Sequence, residues 1–320
     1  MEIVNIDKLY RKTNTFHQMN HYTSPEGLLS IISSSELRFT DCAFLNDIEE
    51  FNYIKKVLEQ CFSKKKDKEL KESIETLVLD KFKKDNEGFL LLNKNGKLRL
   101  QEAKYYVLSG SKNGDDLPMW VYYSKNGDYR GYCINIDVDK LINEFESIDG
   151  TLLYGQIEYD LEKQVQIIEN NIRDFANTFY EKSKPFKNKD DEDSIRYLDE
   201  CIDEYQESLY ELISKMRLFF KSSKFKHEKE YRVAILASPD NETIGNENKK
   251  IEKTYFIKNG VIVPCLSVVL KNNLPIRHIV VGPTMDFDFS KLGIRNLLIS
   301  KKVENGENLS INKSSITIRY

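Results

Sequence analysis

The chain has 320 residues, 40% of them hydrophobic, with 48 Lys and Arg against 51 Asp and Glu for a net charge of −3. That length holds one large domain or two modest ones, and the charge balance excludes nucleic-acid binding through global basicity, leaving only a local basic patch. Five cysteines (Cys42, Cys61, Cys133, Cys201 and Cys265) form no C-x-x-C pair, which argues against a disulfide framework or a zinc site and for buried free thiols in a reducing compartment. The start, Met1-Glu2-Ile3-Val4-Asn5, lacks the basic and apolar regions of a signal peptide. No stretch approaches the ~18 apolar residues of a membrane span, so a cytoplasmic protein with no membrane partner is expected.

In chain order, residues 18–23 read as a short strand. Ser24 and Pro25 then open a helix, as N-cap and first-turn proline, with Leu28, Leu29, Ile31 and Ile32 as its apolar face. Residues 36–40 alternate and give the next strand. Asn46 and Asp47 cap a helical stretch over residues 48–87, broken at Lys64-Lys65-Lys66. Residues 104–109 form a strand that runs into Gly110-Ser111, and residues 117–124 make one or two helical turns around Trp120, the single tryptophan. Residues 131–137 are a buried strand, 138–145 a short helix and 152–159 another strand. Residues 161–220 read as an inserted helical hairpin around Lys184-Pro185 and the acidic run Asp190-Asp191-Glu192-Asp193. Strands follow at 233–236, 253–257, 261–266 and 276–282, then a helix at 289–298. Residues 315–319 close a sheet edge. The expected class is α+β, one domain over 1–320 with the helical insertion at 161–220. If the two ends share one sheet system, residues 21–23, 105–111 and 228–236 border one cleft.

Glu228-Lys229-Glu230 ends a charged turn just before an apolar run. In an extended chain, carboxylates at i and i+2 point to the same side. Such a pair can stabilise a developing cation and orient a nucleophile, and an exposed charged turn is the competing reading. His21 can bind a sugar hydroxyl or serve as a structural histidine. Ser109 and Ser111 offer hydroxyls past a strand end. Tyr122 and Tyr123, beside Trp120, can stack on a flat ring or fill the core. The stretch Phe219-Phe220-Lys221-Ser222-Ser223-Lys224-Phe225-Lys226 interleaves aromatics with lysines, as in nucleic-acid or nucleotide sensors. Glu228, Glu230 and Asp47 around magnesium would make a nuclease. The four histidines show no metal-ligand spacing, no metal site is expected, and there is no phosphate-binding or dinucleotide-binding glycine motif.

Together, His21-Tyr22-Thr23, Leu45-Asn46-Asp47, Ser109-Gly110-Ser111, Met119-Trp120 and Glu228-Lys229-Glu230-Tyr231-Arg232 resemble a widespread bacterial family of unknown function. More remotely, they resemble ADP-ribosyltransferase toxins. That resemblance implies split mixed and antiparallel sheets with helices, and NAD as substrate. It places His21 on a ribose of NAD, with Tyr22 and Thr23 beside it, and Tyr123 or Tyr122 on the nicotinamide. Ser109 and Ser111 match the serine-x-serine strand of a second branch of those toxins. Glu230 then stabilises the oxocarbenium and Glu228 orients the acceptor. The implied role is an intracellular toxin or phage-defence effector modifying a nucleic acid or protein, with an antitoxin as a possible partner.

Overall fold

A computed structural model describes residues 2–9, 17–45, 50–63, 104–123, 127–146, 148, 150–183, 193–194, 196–197, 200, 208, 212–213, 215–237, 243–246, 249–258, 260–270 and 274–318. The chain divides into two compact units. One comprises Met1–Asn46, Gln101–Ile157 and Lys224–Tyr320, and the other Asp47–Leu100 and Glu158–Ser223. No described helix is long and apolar enough to cross a membrane.

The first unit begins with β1 (Glu2–Asn5), α1 (Ile6–Leu9) and β2 (Gln18–Thr23). Ser24 caps α2 (Pro25–Ser34), its hydroxyl accepting the Gly27 amide at 3.1 Å, and Pro25 stands in the first turn, where no amide hydrogen is needed. Of the four apolar residues predicted to face inward, α2 fully buries Leu28 and Ile32, while Leu29 is exposed. Then come β3 (Glu36–Asp41), β4 (Lys104–Ser111), α4 (Leu117–Tyr123), β5 (Tyr132–Asp137), α5 (Val138–Asn143) and β6 (Thr151–Gln156). After the second unit's segment, the chain adds β7 (Glu230–Ala237), β8 (Thr243–Asn246), β9 (Lys249–Lys258), β10 (Val261–Val269), β11 (Ile276–Val281), α7 (Phe287–Ser300) and β12 (Ser310–Lys313).

The class is α+β, with the twelve described strands in one mixed sheet. The main path runs β12-β11-β5-β2-β4-β3-β10-β9-β8, and a branch runs from β4 through β7 and β6 to β1. All of these pairs are antiparallel except β1 with β6 and β11 with β12. The branch point is β4. One edge pairs with β7 over its whole length, Lys104 with Ala237 through Ser111 with Glu230. The other edge is shared, β3 taking Tyr106 and Val107 and β2 taking Ser111.

One face of the sheet carries the main core. Met19, Leu108, Ile134, Leu152, Tyr231 and Val233 pack there with Leu28 and Ile32 of α2 and Leu298 of α7. On the other face Tyr22, Met119, Trp120, Cys133 and Val280 form a smaller cluster. Cys42, Cys61, Cys133 and Cys265 are buried thiols outside any disulfide, and Cys201 lies outside the described residues.

The edge strand differs from expectation. It is β12 and not residues 315–318, with Arg319 outside the described residues: Ser314 donates its amide to Val281, and the Ser315 amide turns away to the Asp115 carboxylate, ending the ladder.

In the second unit, α3 (Glu50–Ser63) packs on α6 (Leu161–Ser183), with Tyr53 donating to Gln164 at 3.1 Å. The buried Gln164 amide also donates to the carbonyls of Glu158 and Lys221. The rest of the expected 48–87 helix, the Asn46-Asp47 cap and the Lys184-Pro185 junction lie outside the described residues.

Gly110 tests the branch. A methyl group there would stand 3.0 Å from the Asn20 carbonyl oxygen and 3.1 Å from Met19 Cβ. Gly110→Ala is expected to lower stability by about 1–3 kcal/mol, read as a lower urea midpoint with an unchanged slope.

Candidate functional site

At the end of β4, three remote segments become neighbours. Asn20 of β2 is opposite Ser111 on one side, and Glu230 of β7 is opposite Ser111 on the other. Asn135 of β5 is opposite Asn20, and His278 of β11 is opposite Asn135. Residues directly opposite in a ladder share a face, so His278, Asn135, Asn20, Ser111 and Glu230 make one polar row across five strands.

Hydrogen bonds knit the row. Asn20 donates its side-chain amide to the carbonyls of Ser111 and Lys112, both at 3.1 Å, and accepts from Asn135 Nδ2 at 2.8 Å. The Ser111 hydroxyl donates to the Glu228 carbonyl at 2.7 Å and accepts the Asn113 amide at 3.1 Å. Ser111 therefore anchors the loop. Ser109 is different. Its carbonyl accepts from His21 Nδ1 at 3.0 Å, while its half-buried hydroxyl makes no hydrogen bond among the described residues.

Glu230 opens β7 and pairs with Arg232, two residues on and therefore on the same face. Arg232 Nε and Nη2 both donate to Glu230 Oε1, at 2.9 and 2.6 Å, with side chains 2% (Arg232) and 7% (Glu230) exposed. Glu228 is not Glu230's same-face partner. It ends a 3-10 helix (Ser223–Glu228), and Lys229 then adopts φ 44° before the strand begins. The left-handed residue breaks the extended spacing that would align the two carboxylates.

His21 follows Asn20, so the pleat turns it to the opposite face from Glu230. Burial pushes its pKa down, opposed by the hydrogen bond to Ser109. The ring is thus neutral at pH 7, with Nδ1 carrying the proton and Nε2 an acceptor. Thr23, half-buried at the end of β2, crowds the space beside Gly27. The Tyr22 hydroxyl donates to the Asn113 carbonyl at 2.9 Å and accepts the Asp116 amide at 3.0 Å, and its ring meets Trp120 edge-on at 4.8 Å. Burial drives its pKa up. Tyr22 is therefore a strut. Tyr123 is half-buried against the Trp120 cluster, whereas Tyr122 is 59% exposed, its ring 5.5 Å from that of His227. Phe219 and Phe220 are buried, so neither ring is presented for stacking. Asp47 lies outside the described residues, and among those described no three His, Cys, Asp or Glu side chains gather as a metal site would require.

Four residues to which the sequence reading gave no role of their own shape this region. Arg232 was signalled by the same i, i+2 rule that had paired Glu228 with Glu230. Asn20 and Asn135 are buried amides on paired strands of the sheet. Asp115 accepts from Trp120, from Ser314 and twice from Ser315. Burial raises the Asp115 pKa, but these hydrogen bonds outweigh it and hold the carboxyl below its ordinary value. Nothing in the local sequence announces a partner two hundred residues away.

Residues 119–233 match the family model described as protein of unknown function (DUF2971). The matched span begins inside α4 and ends inside β7, so it holds Glu228, Glu230 and Arg232 but neither β2 nor β4. No curated protein and no solved structure matches the chain.

Removing one member of the buried pair strands the other. Glu230→Ala is expected to cost about 3–5 kcal/mol in urea unfolding, and a joint apolar replacement of Glu230 and Arg232 much less. His21 and His278, the latter depressed by burial and by Arg277, both titrate below 6.5 in the folded state. Below that pH the unfolded chain binds more protons. Stability is therefore complete above pH 6.5 and falls as the pH drops through 6.5 toward the depressed values. Urea midpoints measured from about pH 7 down to pH 5 should decline, and less steeply in His21→Gln.

Proposed function

We propose that the chain is an NAD-dependent ADP-ribosyltransferase, with Glu230 as the carboxylate that meets the reacting sugar. One observation carries the reading. Segments some 90 and 120 residues apart, bearing His-Tyr-Thr, Ser-Gly-Ser and Glu-Lys-Glu, lie on neighbouring strands in the order β2, β4, β7, with Ser111 directly opposite Glu230. The reading rests on these residues and their placement, together with the resemblance to ADP-ribosyltransferase toxins.

In this chemistry the bond between nicotinamide and ribose breaks, its electron pair passing to the nicotinamide nitrogen, which loses its positive charge. The ribose carbon gains oxocarbenium character, and a nearby carboxylate lowers that barrier. The acceptor then bonds to that carbon and releases its proton to solvent. Glu230 suits the stabilising role because Arg232 fixes its position. The Ser109 hydroxyl, opposite Arg232, lies on the same face and can take a polar group of the substrate. His21 stands on the opposite face of the sheet from Glu230 and holds the Ser109 carbonyl, so in this reading it braces β4 and does not touch the sugar at Glu230. Tyr122 is the exposed ring of the two tyrosines and the one suited to stack on nicotinamide. Glu228 is left the acceptor-side role. The implied biology is a toxin or phage-defence effector held in check by an antitoxin.

Purified protein incubated with NAD should release nicotinamide. Glu230→Gln, checked for folding by circular dichroism, should lower the rate by at least about 100-fold. No nicotinamide release and no labelling of any lysate fraction, or full activity in a folded Glu230→Gln variant, overturns the reading.

A further inference from the structure

Lysines gather at the Glu230 end of the sheet. Lys224 and Lys226 belong to the 3-10 helix Ser223–Glu228, Lys229 follows it, and Lys112 follows β4. Lys112, Lys224, Lys226 and Lys229 are exposed. Backbone hydrogen bonds set three of them in line. Lys229 donates its amide to Lys226 at 3.3 Å, and Lys112 donates its amide to Lys229 at 2.9 Å. The line crosses from the 3-10 helix over the start of β7 to the end of β4, where Ser111 is opposite Glu230. The Lys112 ammonium is steadied by Gln156 Oε1 at 3.2 Å. Glu228 is the single acidic residue in the stretch 223–229. In a chain of net charge −3, this row is a local feature and not a by-product of overall basicity.

Lys229 holds φ 44°, one of five described non-glycine residues at positive φ, Lys302 among them. Glycine adopts that conformation freely, so the Lys229 charge can be removed without opposing the backbone.

We infer that this row binds the phosphate backbone of a single-stranded nucleic acid, and that nucleic acid is the acceptor brought to Glu230. Exposed lysines on adjoining backbone segments offer ammonium partners to successive phosphates. Each contact releases counterions, so binding is tight at low salt and weak at high salt. A flexible strand can follow the short line and present a base or sugar atom at the strand end. The acceptor role rests on the transfer chemistry proposed above, whereas the binding row does not.

The test uses full-length protein and a fluorescein-labelled single-stranded RNA of about 20 nucleotides, alongside DNA of the same sequence. The variant combines Lys112→Ala, Lys226→Ala and Lys229→Gly. Glycine at 229 keeps the left-handed backbone and removes only the charge. Fluorescence anisotropy should show binding whose logarithm falls linearly with log salt. The triple variant should bind at least 10-fold more weakly, with a slope reduced by about 2, from roughly 0.7 per lost contact. Its nicotinamide release without acceptor should match wild type, while transfer of ADP-ribose to the oligonucleotide falls with binding. Absent binding at low salt, or equal binding by wild type and the variant, overturns the row. Radiolabel that stays with protein after nuclease treatment of a lysate overturns the acceptor assignment in favour of a protein. Binding without nicotinamide release sinks the transfer reading and the acceptor role with it, and leaves the row standing.

Discussion

Every backbone amide and carbonyl of a buried strand must find a partner, and β4 meets that demand with three strands. Its β7 edge is fully paired. The opposite edge is divided, and residues between Val107 and Ser111 have neither β2 nor β3 opposite them. The Ser109 carbonyl opens into that gap and is met by the imidazole of His21. A side chain thus completes a ladder that no strand completes, with Nδ1 carrying the proton. That hydrogen bond favours the protonated ring, and burial outweighs it to lower the His21 pKa.

The same region is held by polar groups where a sheet centre would ordinarily be apolar. Asn20 cross-links β2 to the end of β4 and to β5. Its amide donates to two carbonyls, which fixes its oxygen toward Asn135. Asn135 is 2% exposed, and its own Oδ1 has no partner among the described residues. A buried polar network is rigid when satisfied and costly where it is not. The ion pair of Glu230 and Arg232 extends the network along β7. Such a pair adds little net stability compared with apolar residues but fixes where a charge stands. Precise placement of one carboxylate at a strand end is what substrate chemistry would use.

Much of the fold was legible because local physics dominates it. Ser24 and Pro25 announce α2, alternation announces β3, and residues 131–137 read as the buried strand β5. The turn residues Gly260 and Gly127 adopt the positive φ that glycine permits. The sharing of β4 among three partners was not legible, since strand pairing depends on contacts remote in sequence. At the site, the segments were legible and their faces were not. Parity along β2 separates His21 from Glu230, but only the register of Asn20 with Ser111 shows it. Glu228 and Glu230 failed as a same-face pair because one residue between them leaves the extended region. Arg232, at the same spacing on the other side, kept it.

A linear open sheet has two ends, but one that branches has three. Among the described strands the ends are β1, β8 and β12, and each is four residues long. Unpaired strand edges are templates on which other chains can add, and short edges offer few successive hydrogen bonds to a newcomer. The long strands, β4, β7, β9 and β10, all lie inside the sheet, flanked on both sides or paired to a neighbour along their length. Branching multiplies the places where aggregation could start, and the brevity of the three outermost strands limits that hazard.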